Sequence, residues 1–402
     1  MRDEGSEMLN KEFFSSLRTR GEELGEQIIL WRRILHEIPE LRMDTPKTEA
    51  EIVRVLREIG IEDVKGGVGG HGVVAVIRGG MPGGCLAIRA DCDGLPIKEE
   101  TGLPFASKNG NMHACGHDAH TAMALGAAKL IYENRKNLCG SVKLIFQPYE
   151  EGDGGAKLMI ADGVLKSPKV DAIVALHNHP TPYKDCKAGD VLITSEAITA
   201  NIYSYEAHFH GTPAHVCLSA TAKNPIYMAA RAVSEIAALA KETRDAVCAV
   251  TVIDGGVRNN VIPEACSVFG TIRTFQREVQ EDIKKKVFKI LHDAADCFGG
   301  EVNIKTTIDL MDTKIDSELY ERFVKTAQSV YPEHKRINLS ERDMIGEDFA
   351  RYADIVPAMY FKLSTMPDDA PYPLHHPRFD VNESALHVGS VLFAAFAFSW
   401  QE

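Results

Sequence analysis

The chain contains no apolar run long enough to cross a bilayer. Its longest, Val391 to Trp400, is far shorter than the roughly 20 residues a spanning helix needs, and it reads as a closing core helix. There is no excess of positive charge either. Lys and Arg total 45 against 57 Asp and Glu, a net charge of −12. That balance argues against nucleic acid or a membrane surface as a partner. A disulfide framework is also missing. The nine cysteines are odd in number and scattered from Cys85 to Cys297 without paired spacing. They read as reduced thiols of a reducing compartment. The opening residues Met1-Arg2-Asp3-Glu4-Gly5-Ser6-Glu7 are acidic and polar, unlike a secretory signal. The expected location is the cytoplasm. No repeats or low-complexity segments occur.

What is present is ordinary globular composition, 45% hydrophobic and 25% charged. At 402 residues the chain exceeds what one hydrophobic core usually spans, so two domains are expected. Glu12 to Ile38 reads as one long helix, with Phe13, Leu17, Leu24, Ile28, Trp31 and Leu35 at roughly helical spacing and Pro39 ending it. Lys47 to Ile59 reads as a second helix, stopped by Gly60. Gly72 to Arg78, Cys85 to Asp91, Ser141 to Gln147 and Asp171 to Leu176 read as buried strands. Three of them run into polar clusters: Asp91-Cys92-Asp93, Pro148-Tyr149-Glu150-Glu151-Gly152, and His177-Asn178-His179. Open α/β sheets place their sites at such strand ends. From about Asp190 the pattern changes to β-α-β-β-α-β, ending with a strand over Glu301 to Asp309, which suggests an inserted ferredoxin-like domain.

The most informative stretch is Asn111-Met112-His113-Ala114-Cys115-Gly116-His117-Asp118-Ala119-His120-Thr121, directly before an apolar helical run. In an extended backbone His113, Cys115 and His117 point the same way. A thiolate and two imidazoles on one point suit a metal. Asp118 is placed to cap the following helix or to orient a ligand histidine.

These segments resemble the M20 family of metal-dependent amidohydrolases. The nearest branch holds hippurate hydrolase, the bacterial N-acyl-amino-acid aminoacylases and the plant auxin-conjugate hydrolases. Arg89 to Pro96, Asn111 to Asp118, Gln147 to Gly152, Gly270 to Phe275, Gly346 to Phe349 and Leu374 to Phe379 carry the resemblance, in the family's order. It implies a two-domain α/β fold. A catalytic domain with a central mixed sheet would span residues 1–194 and 309–402, and a ferredoxin-like α+β lid and dimerisation domain would span 195–308.

Carried over, the resemblance implies metal ligands at Cys115, His117, Glu151, His177 and His375, with His376 as the rival for the last. Five ligands exceed the three or so of one open zinc site but suit two cations. Zn²⁺ or Mn²⁺ is expected, with Co²⁺ and Ni²⁺ as alternatives. Glu150 would be the general base acting on a metal-activated water, and His215 of the lid would help hold the oxyanion. Asn260 and Arg273 would bind the substrate carboxylate. Asp91 and Asp118 would steady the ligands from behind. His113, His120 and His179 lie close by in the sequence. The lid segment Pro213 to Ser219 departs from the family pattern.

The expected activity is hydrolysis of N-acyl amino acids by a homodimer joined through the lid. A dipeptidase or another amino-acid-conjugate hydrolase is the alternative within the family. A non-catalytic metal-dependent binding module is the alternative of another class, and loss of Glu150 would have signalled it. A cysteine nucleophile, Cys115 with His117 as base, leaves Glu150, Glu151, His177 and His375 without a role.

Overall fold

The computed structural model describes residues 4–152, 154–183, 185–339, 344–369 and 371–401, with the side chains of 4–10 and 338 outside the description. It divides into two compact units. Met1–Ile198, Lys314–Glu341 and Asp348–Glu402 form the first, and Thr199–Thr313 with Arg342–Glu347 form the second.

The first unit opens with helices α1 (Glu4–Glu23), α2 (Gly25–His36) and α3 (Pro46–Ile59). The single helix expected over Glu12 to Ile38 is therefore corrected to two. Helical bonding persists across the junction, Leu24 N to Arg20 O at 3.1 Å and Ile28 N to Leu24 O at 3.0 Å. Gly25, a weak helix former, follows at once, and the helix is interrupted at Leu24. Strands β1 (Val64–Val68), β2 (Gly72–Arg78) and β3 (Met81–Asp91) come next, then α4 (His117–Glu133), β4 (Cys139–Gln147), α5 (Gly155–Ala161), β5 (Ala172–His179) and β6 (Val191–Ile193).

The chain then builds the second unit: β7 (Asn201–His210), β8 (Ala214–His215), α6 (Pro225–Glu242), β9 (Ala246–Gly255), β10 (Val261–Ile262), β11 (Ala265–Thr274), α7 (Arg277–Cys297) and β12 (Glu301–Leu310). It returns to the first unit with α8 (Ser317–Val330), β13 (Arg336–Asn338), α9 (Ala350–Ala353), β14 (Ala358–Ser364) and α10 (Leu386–Ser399).

The first unit's sheet has the order β1-β2-β4-β3-β5-β14-β6-β13. It is mixed: β3 runs parallel to β4 and β5, and β14 parallel to β5, while β2 is antiparallel to β4. The C-terminal ends of β3, β4 and β5 therefore open on one edge, and the three polar clusters follow from those ends. Helix α4 is rich in alanine, a strong helix former, and is buried around nearly its whole circumference. Leu125, Leu130 and Ile131 on it are fully buried, each stabilising the fold by roughly 1.5–3 kcal/mol. That anchorage makes the N-terminus of α4 a firm platform.

The second unit's four-stranded sheet is antiparallel, in the order β12-β7-β11-β9. With α6 and α7 in chain order, this is the ferredoxin-like arrangement the β-α-β-β-α-β pattern predicts. Alternation along β7 and β11 turns Tyr205, Ala207, Phe209, Val268 and Ile272 into one core with Met228, Ile236, Ile283, Val287 and Leu291 of the two helices. The short pair β8 and β10 forms a separate ribbon.

Candidate metal centre

The residues before α4 form a turn, not an extended strand. Gly116 N donates to His113 O at 3.2 Å, and Gly116 adopts φ +86°. A side chain there would meet the Asn178 amide at 2.3 Å, and that amide donates to Cys115 O at 2.6 Å. Cys115 and His117 face the centre. His113 does not, which corrects the expectation that all three point together: the turn rotates it towards His36, with ring centroids 6.4 Å apart. Asp118 is no cap either. It lies inside the first turn of α4, where its Oδ2 accepts from Arg32 Nε at 2.7 Å and sits 2.7 Å from His36 Nδ1.

Of the donor groups that result, two overlap at Cys115. Cys115, His117 and His177 offer atoms that all lie within 4.8 Å of one another, and so do Cys115, Glu151 and His375. Cys115 is common to both. Its Sγ is 3.5 Å from His177 Nε2, and His375 Nε2 is 3.2 Å from Glu151 Oε1. Glu150 Oε2 and Glu151 Oε1 stand 3.9 and 4.0 Å from His117 Nε2. His376 is turned elsewhere. It stacks on Tyr372 at 4.5 Å, and its Nδ1 accepts from Arg378 N.

Backbone geometry brings the turns together. His375 N donates to Ala114 O at 2.8 Å, which seats the late loop against the metal-binding turn. Tyr149 and His375 both adopt left-handed backbone, φ +62° and +64°. They are two of only four non-glycine residues with positive φ among those described, and such strain concentrates at functional sites. The Tyr149 ring lies over Gly152, where a Cβ would come within 1.9 Å of it.

The tautomers follow from the backbone. His117 Nδ1 is 3.0 Å from Asp93 O and His177 Nδ1 is 2.7 Å from Asn178 O, so each ring donates there and keeps an Nε2 lone pair for the centre. His120 is different. Its Nδ1 lies 2.6 Å from Asp91 Oδ1, and its Nε2 accepts from Asn178 N, so neither nitrogen is left for a metal. Asp91 is thus held behind the centre by His120 and by Arg89 Nη1 at 2.6 Å.

Electrostatics favours a cation. Burial opposes the charge on His117, yet Asp91, Asp93 and Glu151 outweigh it and raise the imidazole to about 10. Burial pushes Asp91 up, but His117, His120 and Arg89 hold it well below the usual range. Burial, with Glu151 and Glu150 beside it, drives the Cys115 thiol well up. A pocket that draws a proton onto His117 and resists an unneutralised thiolate is completed by a divalent ion. His117 Nε2 is buried with no hydrogen-bond partner, and the donors mix soft sulfur, imidazole and carboxylate. The residues therefore fit two cations sharing Cys115.

Several functional side chains escaped the sequence reading. Asp93 accepts from the backbone of Glu150 at 3.1 Å and Glu151 at 3.3 Å, and its own carbonyl fixes His117. Gln147 and Arg89 both donate to Asp348, which also accepts from Ala156 N. Their positions in strand-end motifs were the available signal. Arg32 and His36 gave none.

In the second unit His215 is exposed on β8, and its Nδ1 accepts from Cys217 N. Val216 N donates to Asn260 O, which places His215 and Asn260 side by side on the ribbon. Arg273 is half-buried and donates to Met344 O at 2.7 Å. Roughly 26 Å of strand separates it from Ala265, the start of β11, at about 3.3 Å per residue. Within this unit Arg273 and the ribbon pair do not meet.

Residues 87–399 match the family model described as Peptidase family M20/M25/M40. The chain is 34% identical over 368 residues to the N-acetyl-L-cysteine deacetylase of Bacillus subtilis, covering 90% of this chain and 85% of that protein. It is 33% identical to thermostable carboxypeptidase 1 of Saccharolobus solfataricus, covering 93% and 95%. A solved dinuclear metal-binding M20 peptidase of Bacillus subtilis superposes with a TM-score of 0.78 at 33% identity, covering 94% of this chain and 98% of that one. Among the described residues no helix is long and apolar enough to cross a membrane. The chain belongs to peptidase family M20/M25/M40 and is a metallo-amidohydrolase with a site suited to two divalent cations.

Proposed function

We propose that this chain hydrolyses the amide bond of N-acyl amino acids, with Glu150 as general base. The observation that carries the reading is the sharing of Cys115 by two donor groups with Glu150 beside them. The relative named N-acetyl-L-cysteine deacetylase supports the substrate class. Cys115, His117 and His177 would hold one cation, and Cys115, Glu151 and His375 the other, with Zn²⁺ or Mn²⁺ favoured over Co²⁺ and Ni²⁺. When bound, the pair would acidify a water and polarise the scissile carbonyl. Glu150 accepts the proton from the attacking water. It then delivers that proton to the nitrogen of the tetrahedral intermediate as the carbon–nitrogen bond breaks, so that the amine leaves neutral and the acyl group is released as a carboxylate. Asp93 holds Glu150 in register through the backbone.

His215 is assigned to the developing oxyanion, and Asn260 and Arg273 to the substrate carboxylate. The atypical Pro213 to Ser219 segment, exposed at Val216 and Leu218, shapes the choice of acyl group. A second copy of the chain pairs with the second unit along β9, whose Val252 and Ile253 are 45% and 53% exposed. The nine cysteines, read as reduced thiols, support a cytoplasmic location. The relative named thermostable carboxypeptidase 1 supports a second reading, cleavage of peptide substrates by the same chemistry.

The test is Glu150→Gln, assayed by release of free amino acid from N-acetyl and N-benzoyl amino acids and from dipeptides. We expect kcat to fall by about 10²–10⁴-fold with bound metal unchanged. An unchanged kcat would remove Glu150 as base. Turnover of dipeptides alone would favour the second reading.

A further inference from the structure

We propose that Arg32 is a positioning residue that ties the two halves of the metal centre to one another, through Asp118 on one side and Asp380 with Glu383 on the other. The proposal rests on the two-cation reading above. Arg32 lies on α2, outside the stretch matched by the family model, and its side chain is fully buried. One guanidinium reaches three carboxylates from distant parts of the chain. Nε donates to Asp118 Oδ2 at 2.7 Å, Nη2 to Asp380 Oδ1 at 3.0 Å, and Nη1 to Glu383 Oε1 at 3.1 Å.

Each carboxylate lies within eight residues along the chain of a donor to one half of the centre. Asp118 directly follows His117 in the first turn of α4, and belongs to the half that includes His177. Asp380 and Glu383 follow His375, in a segment pinned by buried Phe379 and Val381. His36 reinforces the first tie, with Nδ1 on Asp118 and Nε2 3.1 Å from Glu99. A buried ion cluster is weak evidence for stability, since apolar side chains of like volume often serve as well. What an apolar residue lacks is direction. Only the planar, forked guanidinium holds three acceptors at fixed angles, and lysine cannot reproduce that.

The test compares wild type with Arg32→Lys, Arg32→Met, Asp118→Asn and the double variant Asp380→Asn/Glu383→Gln. Bound Zn²⁺ per chain is measured by mass spectrometry after dialysis against graded chelator. Near-ultraviolet circular dichroism, kcat and KM are measured in parallel. We expect wild type to hold two ions. Arg32→Lys should keep the folded spectrum and bind both ions about 10- to 100-fold more weakly, with kcat falling more than KM rises. Asp118→Asn should weaken one ion, and the double variant the other. Lysine and methionine variants that retain both ions with wild-type affinity and kcat would overturn the proposal. If Arg32→Met does not fold, the double variant decides: its two side chains are partly exposed, at 31% and 16%, and wild-type retention of both ions there overturns the proposal equally. A wild type that never holds two ions defeats the two-cation reading and this inference with it.

Discussion

The two units hold their polar side chains in opposite ways. In the first, Cys115, His117 and His177 are buried, and the Nδ1 of each imidazole is committed to a backbone carbonyl. In the second, His215 and Asn260 are exposed, and a His215 ring nitrogen accepts a hydrogen bond from its neighbour Cys217. Burying unneutralised polar groups is costly, so a buried constellation of this kind makes sense only when a strongly bound ion compensates it. Exposed groups carry no such cost and can wait for whatever completes them. One region is prebuilt; the other lies open to solvent.

The sharpest way to break that comparison is Cys115→Ala. The thiol belongs to both donor groups, so its removal should weaken both cations together, whereas His375→Ala should weaken one. We expect activity to fall by more than the roughly 10²–10³-fold that follows loss of a single electrostatic donor. Metal analysis checks this directly. A Cys115→Ala protein that still carried two ions would show that the halves are independent.

Much of this difference was legible in the sequence. The strand-end clusters stood out because an apolar run stops abruptly at a ligand-type residue, as at Gln147 before Glu150 and Glu151. The inserted unit was legible from the β-α-β-β-α-β pattern that begins after about Asp190, whose first strand the structure forms as β7. The turn at Gly116 was not, because its cause is the Asn178 amide, 62 residues away from Gly116 in the chain and against its face. Arg32 and Asp118 were hidden for the same reason: they are 86 residues apart, and no local pattern marks a tertiary ion pair. Strand β1, Val-Lys-Gly-Gly-Val, was missed because two glycines in five residues mask its propensity, and pairing with β2 supplies what composition does not.

A smaller effect sharpens the contrast from the other side. His215→Ala should lower kcat by about 10²-fold, the scale of one oxyanion donor. Bound metal should stay at the wild-type level. The melting temperature should barely move, because substitution of an exposed side chain usually changes stability by no more than about 0.5 kcal/mol. Loss of metal or of stability in this variant would mean that the ribbon is part of the prebuilt region after all.

The smallest change in the chain itself is expected at the edge of the second sheet. That sheet has two edges of different character. On β12 Glu301, Lys305 and Asp309 guard the backbone with charge, the usual device against unwanted pairing. On β9 no charged residue appears before Asp254, and Val252 and Ile253 lie open. An unguarded apolar edge is a template for another strand, and the same edge of a second copy is the self-complementary partner a two-fold dimer requires. Ile253→Lys should therefore shift the protein towards monomer in sedimentation equilibrium, by at least about tenfold in the association constant, the effect of 1.4 kcal/mol. Folded stability should stay within about 0.5 kcal/mol. Thr307→Lys, the same charge placed on the guarded edge β12, should leave association untouched. Equal responses at the two edges, or a wild type that is monomeric at micromolar concentration, would remove β9 as the contact. The exposure of His215 and Asn260 would then have to be explained by substrate alone.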